Sequence, residues 1–290
     1  MTSILIVIDN SDLNLGSFVN NDGVLRDSAT YSNIAIIDVL LNYFINDPFE
    51  LDYKLNKLYT SLREKCDYTV SINVFYKHAY FDLTTLLKNT YSNIFLSEMT
   101  SSSLPHTPYR ETLLTSTINY QKEISSSTKH YQAKCFDISA VGGTFDHIHD
   151  GHKILLCISA FLTKSKLIIG LTAEQLLVNK KFKSQLQTFD TRKKHVLEFT
   201  NKIDSSLTID ILPIKDVCGP TGYEPNIQAL IVSKETQAGG DTVNKVRTEK
   251  GLSALDIFVV DILGGEEKLS STTLRQMEYE RLKNDKKNQN

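Results

Sequence analysis

The sequence predicts an α/β protein whose C-terminal half is a doubly wound, Rossmann-like parallel sheet, preceded by a second α/β domain. After residue 133, short apolar runs alternate with helical patterns, and turn-forming residues separate them. Such alternation is typical of a parallel sheet with helices on both faces. The predicted strands of this half are 135–141, 166–172, 207–214, 229–235 and 255–263.

Helices are predicted between these strands. In residues 150–165, Ile154, Leu155, Ile158 and Leu162 recur at helical spacing and predict one buried face. Three more helices are predicted: one that begins within 173–180, one over 189–202, and one over 241–252 that ends at Gly251.

The N-terminal half mixes the same two element types but carries no motif that points to a function. Strands are predicted over 3–9, 68–76 and 92–99. Helices are predicted over 28–45 and over 52–65, the first because its apolar residues share one face and Asp47-Pro48 follows it.

Serine and threonine dominate residues 100–130, where the apolar periodicity fades. This composition predicts a linker, because a structureless loop of this length is uncommon inside a compact domain. An excursion within one domain is the alternative. The predicted organisation is an N-terminal α/β domain of unknown role (1–100), a Ser/Thr-rich linker or loop (101–132) and a C-terminal domain (133–290).

The charge balance argues against binding to nucleic acids or membrane surfaces. The 290 residues include 32 Lys or Arg and 34 Asp or Glu, so the formal net charge at pH 7 is −2. No apolar stretch approaches the roughly 18 residues that a membrane helix needs, and the N-terminus lacks the basic segment of a signal peptide. The four cysteines form no CxxC pair, which fits a reducing compartment. We therefore expect a cytoplasmic protein with no nucleic-acid or membrane partner.

A histidine cluster lies between the first strand of the C-terminal half and the helix that follows it. Residues 141–152 read VGGTFDHIHDGH, so three of the seven histidines fall within six positions. Ligands bind at this edge of a parallel sheet, and the amides of a helix N-terminus favour phosphate. Gly142 and Gly143 would let a ligand approach the backbone closely. His149 and His152, three residues apart, should lie at the same edge of the helix and donate hydrogen bonds to phosphate oxygens.

The residue types alone leave two other interpretations open. The histidines could simply cap the turn, or Asp146, His147, His149, Asp150 and His152 could bind zinc or iron, although a metal site leaves the preceding Gly-Gly-Thr unexplained. A P-loop is excluded because the pattern GxxxxGK[ST] is absent from the chain.

Two motifs resemble the signatures of the nucleotidyltransferase superfamily. GTFDHIHDGH (143–152) is similar to the pattern GTFDxxHxGH, and KLSSTTLR (268–275) is similar to the second pattern, [KR]-Ile-Ser-Ser-Thr-x-x-Arg, with Leu269 in place of isoleucine. Alone, SSTTLR would indicate only a helix cap. The two motifs stand in the order and at roughly the separation of the superfamily.

The segment between the motifs resembles phosphopantetheine adenylyltransferases of the eukaryotic and archaeal type. It contains a Gly-Pro-Thr turn, an acidic residue with proline, a strand that ends in Ser-x-Glu-Thr, and Val-Asn-x-x-Arg, with Glu224 where the family more often has Asp. The resemblance covers residues 134–278 and not the N-terminal half. The matching residues are Gly219, Pro220, Thr221, Glu224, Pro225, Ser233, Glu235, Thr236, Val243, Asn244 and Arg247.

This resemblance implies a nucleotidyltransferase fold in an adenylyltransferase domain (133–290). It also implies the transfer of an adenylyl group from ATP to 4′-phosphopantetheine, with dephospho-coenzyme A and pyrophosphate as products. Mg²⁺ is expected to arrive with ATP, without metal ligands from the protein. Other enzymes of the coenzyme A pathway are possible partners. The rivals are another nucleotidyltransferase, specific for cytidylyl, FMN or nicotinamide mononucleotide chemistry, and a non-catalytic nucleotide-binding scaffold.

The resemblance also implies a role for each matched residue. His149, Lys181 and Arg275 are the predicted catalytic residues, with Lys181 preferred over Lys180, and Thr144 and Lys181 are expected to bind the incoming phosphate. His147 is expected not to be catalytic. The predicted ATP-binding residues are Gly143, Phe145, His149, His152, Glu235, Ser270, Ser271, Thr272 and Arg275.

Overall fold

Two parallel sheets organise the chain. The structure, a computed structural model, describes residues 2–9, 34–79, 86, 91–97, 110–113, 130–261 and 269–288. The chain divides into two units, residues 1–133 and 134–290, and each has its own sheet. The domain boundaries given above stay a prediction, because most of 101–132 lies outside the described residues; its described part includes strand Arg110–Leu113 of the first sheet.

The first sheet has five parallel strands in the order β3-β2-β1-β4-β5. Residues 4–8 of the central strand β1 are fully buried. One helix, α1, follows β2; it begins at Pro48, and the Asp47 carboxylate accepts a hydrogen bond from the Phe49 amide at 2.9 Å. The bounds are β1 Thr2–Ile8, β2 Ile34–Phe44, α1 Pro48–Arg63, β3 Ser71–Lys77, β4 Asn93–Ser97 and β5 Arg110–Leu113.

The helix predicted over 28–45 is wrong where the structure describes it, because Ile34–Phe44 is strand β2. This strand lies between β1 and β3, and Ile37, Val39 and Leu40 are fully buried. A strand buried on both faces is apolar along its length and shows no alternation. Its apolar residues therefore also satisfied the helical spacing. Residues 28–33 lie outside the described part of the chain.

The second sheet has five parallel strands in the order β10-β9-β6-β7-β8, which confirms the predicted doubly wound fold. The order reverses at β6, whose two neighbours are β7 and β9. The bounds are β6 Phe136–Gly143, α2 Asp150–Leu162, β7 Thr163–Thr172, α3 Phe189–Ile203, β8 Thr208–Ile214, β9 Ala229–Ser233, α4 Gln237–Glu249, β10 Asp256–Val260 and α5 Ser271–Asn288.

The helix predicted to begin within 173–180 is also wrong, since only a 3₁₀ turn forms there, at Glu174–Leu176. Leu176 and Val178 are 47% and 56% exposed, so this segment has no continuous apolar face to bury. Without an apolar face to pack, a short helix is unstable, because helix nucleation is unfavourable. In the described part of the chain, no helix is long and apolar enough to cross a membrane.

Candidate active site

The histidine loop, which we define as residues 142–149, comprises the last two residues of β6 and the turn that leads to helix α2. Because the strand order reverses at β6, the crevice between the ends of β6 and β9 is the expected ligand site of a doubly wound sheet. His149 occupies the N-cap position of α2 with extended backbone angles (φ −127°, ψ 176°), but its imidazole does not cap the helix. Helix α2 therefore begins at this edge of the sheet, and the amides of a helix N-terminus suit a phosphate group.

The structure brings His149 and His152 together as a stacked pair. Their ring centroids are 3.9 Å apart and the ring planes differ by 26°. The ring of Phe145 lies beside His152, at a centroid distance of 5.2 Å. Burial, and secondarily the neighbouring His149, lower the pKa of His152 well below its ordinary value. His152 is therefore neutral at pH 7 and can donate one ring N–H.

This depressed pKa predicts that the protein loses stability in mild acid. The unfolded chain binds a proton at His152 near pH 6.5, whereas the folded protein does so only at lower pH. The contribution of His152 is thus complete above about pH 6.5 and is lost as the pH falls below that value. In urea titrations between pH 7.5 and 5, we expect His152→Asn to flatten the pH dependence. The same slope in both proteins would contradict the assignment.

The residues of the metal-site interpretation make other contacts in the structure. Within the described ranges, no three or more His, Cys, Asp or Glu side chains are grouped so that they could hold a metal ion. The rings of His149 and His152 stack face to face, Asp146 pairs with Arg275, and His147 lies within hydrogen-bonding distance of the Gln185 carbonyl. The Nε2 atom of His147 lies 2.8 Å from the Gln185 carbonyl oxygen, which gives this histidine a structural role.

Gly143 makes room for the buried ring of Phe145. A Cβ atom at Gly143 would lie 3.0 Å from Cε2 of this ring, whereas one at Gly142 would meet its nearest atoms at 3.9 Å. Phe145 itself is fully buried and has a positive φ of 49°. The glycine therefore allows the turn to pack on the aromatic ring below it.

Alanine substitutions should separate these two glycines. We expect Gly143→Ala to cost about 1–3 kcal/mol of unfolding free energy, because the added methyl group overpacks the turn. Gly142→Ala, its matched control, should change this free energy by less than about 0.5 kcal/mol. Urea unfolding of both variants gives the comparison, and equal losses would show that the Phe145 ring adapts freely.

A buried ion pair joins the two sequence motifs. Nη1 of Arg275 donates to Oδ2 of Asp146 at 2.5 Å, across 129 residues of sequence. Nε of Arg275 donates to the Lys181 carbonyl at 3.0 Å, and Nη2 donates to Oγ1 of Thr272 at 3.1 Å. Arg275 is 1% exposed, and these bonds use three of its five N–H groups. Direct contact between Arg275 and phosphate stays a prediction.

Ser270, Ser271 and Thr272 lie at the N-terminus of α5. Oγ of Ser270 accepts a hydrogen bond from the Thr273 amide at 3.2 Å, so Ser270 caps the helix. Ser271 and Thr272 are half-buried in the first turn. Because Arg275 and Asp146 join α5 to the histidine loop, this helix N-terminus is tied to the same site.

The predicted substrate lysines lie on the basic loop, which we define as residues 173–187. Lys180 and Lys181 are both exposed. Two hydrogen bonds of Gln187 join this loop to the histidine loop. Its backbone N–H donates to Oδ1 of Asp146 at 2.9 Å, and its side-chain Oε1 accepts from the backbone N–H of His147 at 2.9 Å. The Lys181 backbone carbonyl accepts a hydrogen bond from Arg275, and the preference for Lys181 over Lys180 stays a prediction.

Glu235 is exposed and lies in a 3₁₀ turn directly after β9. Its neighbours Ser233 and Thr236 form a capping box that fixes this turn. The carboxyl end of β9 adjoins that of β6 in the sheet, so Glu235 belongs to the same edge as the histidine loop. Contact with adenine or ribose stays a prediction.

Two fully buried arginines received no role from the sequence: Arg192, and Arg247, which entered only as a residue that matches the family. Arg247 donates to the carbonyls of Thr221 and Glu224, at 2.7 and 2.9 Å, and so holds the Gly-Pro-Thr turn. A signal was present, because Arg192 stands at helical spacing with the buried stripe of α3, which continues with Val196, Phe199, Thr200 and Ile203.

The chain is similar to a known family and to several known proteins. The family model described as "Cytidylyltransferase-like" matches residues 140–277. A phosphopantetheine adenylyltransferase of Saccharomyces cerevisiae is 50% identical over 151 residues, which are 50% of this chain and 50% of the yeast protein. An uncharacterized protein of Schizosaccharomyces pombe is 36% identical over 48% of this chain and 47% of its own length.

An archaeal relative is matched over most of its length. The phosphopantetheine adenylyltransferase of Pyrococcus abyssi is 35% identical over 137 residues, which are 47% of this chain and 86% of the archaeal protein. By contrast, the matched region spans only about half the length of the two fungal relatives.

Proposed function

The chain belongs to the phosphopantetheine adenylyltransferase family, and from this membership we propose that it transfers the adenylyl group of ATP to 4′-phosphopantetheine. The products are dephospho-coenzyme A and pyrophosphate. The observation that carries the proposal is the stacked pair of His149 and His152 at the N-terminus of α2, tied to the Ser-Ser-Thr helix by the Arg275–Asp146 pair. We also propose a cytoplasmic location, in keeping with the four free cysteines.

The reaction in this proposal is an in-line displacement at the α-phosphorus of ATP. A phosphate oxygen of 4′-phosphopantetheine forms the new P–O bond, and the bond between the α-phosphorus and the bridging oxygen to the β-phosphate breaks. The nucleophile already carries negative charge at neutral pH, so it needs no general base. Catalysis then depends on bringing two anions together and on stabilising charge at the α-phosphate.

The residues of the site fit these two tasks. His149 and the amides of α2 would contact the ATP α- and β-phosphates, with His152 beside them. Lys181 would bridge the incoming phosphate and the α-phosphate, and Thr144 would donate a hydrogen bond to the incoming phosphate. Within the rest of the nucleotide site, we propose contacts from Gly143, Phe145, Glu235, Ser270, Ser271, Thr272 and Arg275.

Magnesium belongs to the substrate in this proposal. Mg²⁺ usually keeps several waters and binds through substrate phosphates, so it would enter as MgATP. The ion would neutralise part of the phosphate charge that the two anions bring to the crevice. We further propose that the chain has other enzymes of coenzyme A synthesis as partners.

A substrate panel tests the proposed function. Purified protein with Mg²⁺ and ATP would receive 4′-phosphopantetheine, nicotinamide mononucleotide or FMN, and a fourth reaction would contain CTP and phosphocholine. Pyrophosphate release and product mass are measured together. We expect dephospho-coenzyme A in the first reaction alone. Product in another reaction would assign a different substrate to the protein. No product in any of the four reactions would overturn the proposed activity.

A further inference from the structure

One buried guanidinium, that of Arg192, connects the segments around the proposed phosphate site. Arg192 lies near the start of α3 and is fully buried. Its Nη1 atom donates to the Thr144 carbonyl at 2.8 Å and to the Thr172 carbonyl at 3.0 Å. Its Nε atom donates to the Gln187 carbonyl at 3.2 Å.

These three carbonyls belong to the backbone segments that surround the proposed phosphate site. Thr172 is the last residue of β7 and Gln187 is the last residue of the basic loop, so one side chain fastens both ends of the loop that carries Lys181. Thr144 belongs to the histidine loop. Because a trans peptide points its carbonyl and its N–H in opposite directions, fixing the Thr144 carbonyl also fixes the Phe145 amide.

We propose that Arg192 is a positioning residue for adenylyl transfer, which holds Lys181 of the basic loop at a fixed distance from the histidine loop. The proposal rests on the proposed function, in which Lys181 contacts the reacting phosphates. Arg192 touches neither substrate; it acts through the backbone of the two loops. A displacement of about 1 Å in such an arrangement can cost on the order of 10²-fold in rate.

The chemistry of arginine explains why this residue type stands here. Its planar fork offers five N–H donors in fixed directions, whereas lysine offers one ammonium group that cannot reach three separate carbonyls with the same geometry. Burial lowers the pKa of Arg192, and the charges of Asp146 and Glu174 counteract this. In the described part of the chain, Nη2 of Arg192 has no hydrogen-bond partner, so the buried guanidinium is not fully compensated.

A double-mutant cycle with Lys181 tests the proposal. We expect Arg192→Lys to lower kcat between roughly 10- and 100-fold in the otherwise wild-type protein. In a Lys181→Ala background the same change should lower kcat less than about 3-fold, because the lysine that Arg192 positions is already absent. A purely structural role would give the same factor in both backgrounds, and that result would overturn the proposal. If Arg192→Lys does not fold, Arg192→Gln, which is uncharged and still donates N–H groups, replaces it in the cycle.

Arg247→Lys is the matched control, since Arg247 is also fully buried. Its Nε donates to the Ser253 carbonyl at 2.6 Å, and its Nη1 donates to the carbonyls of Thr221 and Glu224. The kcat effects of Arg247→Lys and Lys181→Ala should multiply.

Hydrogen–deuterium exchange provides a readout that needs no substrate. Arg192→Lys should accelerate exchange in residues 173–187, and Arg247→Lys should do so only around residues 219–224. Unchanged exchange in the basic loop of Arg192→Lys would overturn the role of Arg192. If the wild-type protein forms no dephospho-coenzyme A, the proposed function fails, and this comparison alone decides whether Arg192 holds the loop.

Discussion

Replacing His149 by alanine is expected to lower kcat by on the order of 10² or more, because in the proposed reaction the α-phosphate would lose a hydrogen-bond donor where charge develops. The ring is half-buried and lies at the N-cap position without capping the helix, so the fold should survive its removal. Steady-state rates of dephospho-coenzyme A formation give the effect on kcat, and urea unfolding measures the stability of the variant.

His130→Ala is the control for this experiment. His130 is exposed and lies in the other unit of the chain, so its removal should change neither kcat nor stability. If His149→Ala turns over within about threefold of the wild-type protein, His149 does not stabilise the transition state. A loss of activity that merely follows a loss of folded protein would also count against the catalytic assignment.

The second large effect is expected on stability. Asp146→Ala leaves the guanidinium of Arg275 buried without its carboxylate partner, and breaking a buried pair in this way costs about 3–5 kcal/mol. Asp146 also accepts a hydrogen bond from the backbone N–H of Gln187, so the loss of its carboxylate should loosen the basic loop as well. The free energy of unfolding in urea, compared with that of the wild-type protein, measures the loss.

An exposed ion pair provides the contrast. Nζ of Lys166 lies 2.8 Å from Oδ2 of Asp210, and both side chains are more than one third exposed. Asp210→Ala should therefore cost less than about 1 kcal/mol. The double variant Asp146→Leu, Arg275→Met should recover much of the stability lost in Asp146→Ala without recovering activity. A small loss in Asp146→Ala, similar to that in Asp210→Ala, would show that the buried pair contributes little.

The fold of the C-terminal half could be predicted because its local signals agree with its tertiary structure. Each of its five strands is a short apolar run bounded by turn residues, and α2 shows an apolar helical face. Strand β2 could not be predicted in this way, since a strand covered on both faces carries no period of its own. Residues 34–44 form a strand because they pair with β1 and β3, which lie elsewhere in the sequence.

The candidate site was likewise predictable only in part. His149, His152 and Ser270 stand in motifs whose residue spacing alone brings them to helix N-termini. The bonds that hold the site together are long-range: Arg275 reaches Asp146, and Arg192 reaches carbonyls on three segments. No sequence pattern reports on a carbonyl acceptor, because every residue has one. The one indication in the sequence is the helical spacing of Arg192 with the apolar residues of α3, beginning with Val196.

The pairing of Asp146 with Arg275 has a consequence for how the protein matures on the ribosome. All five strands of the second sheet are synthesised before α5, whose first residue is Ser271. A nascent chain whose α5 is still inside the ribosome can form the sheet, but its Asp146 carboxylate lacks the Arg275 guanidinium as a partner. Translation that stops shortly before residue 271 should therefore yield a polypeptide that forms the sheet but lacks the proposed activity, which would arise only once α5 has been synthesised.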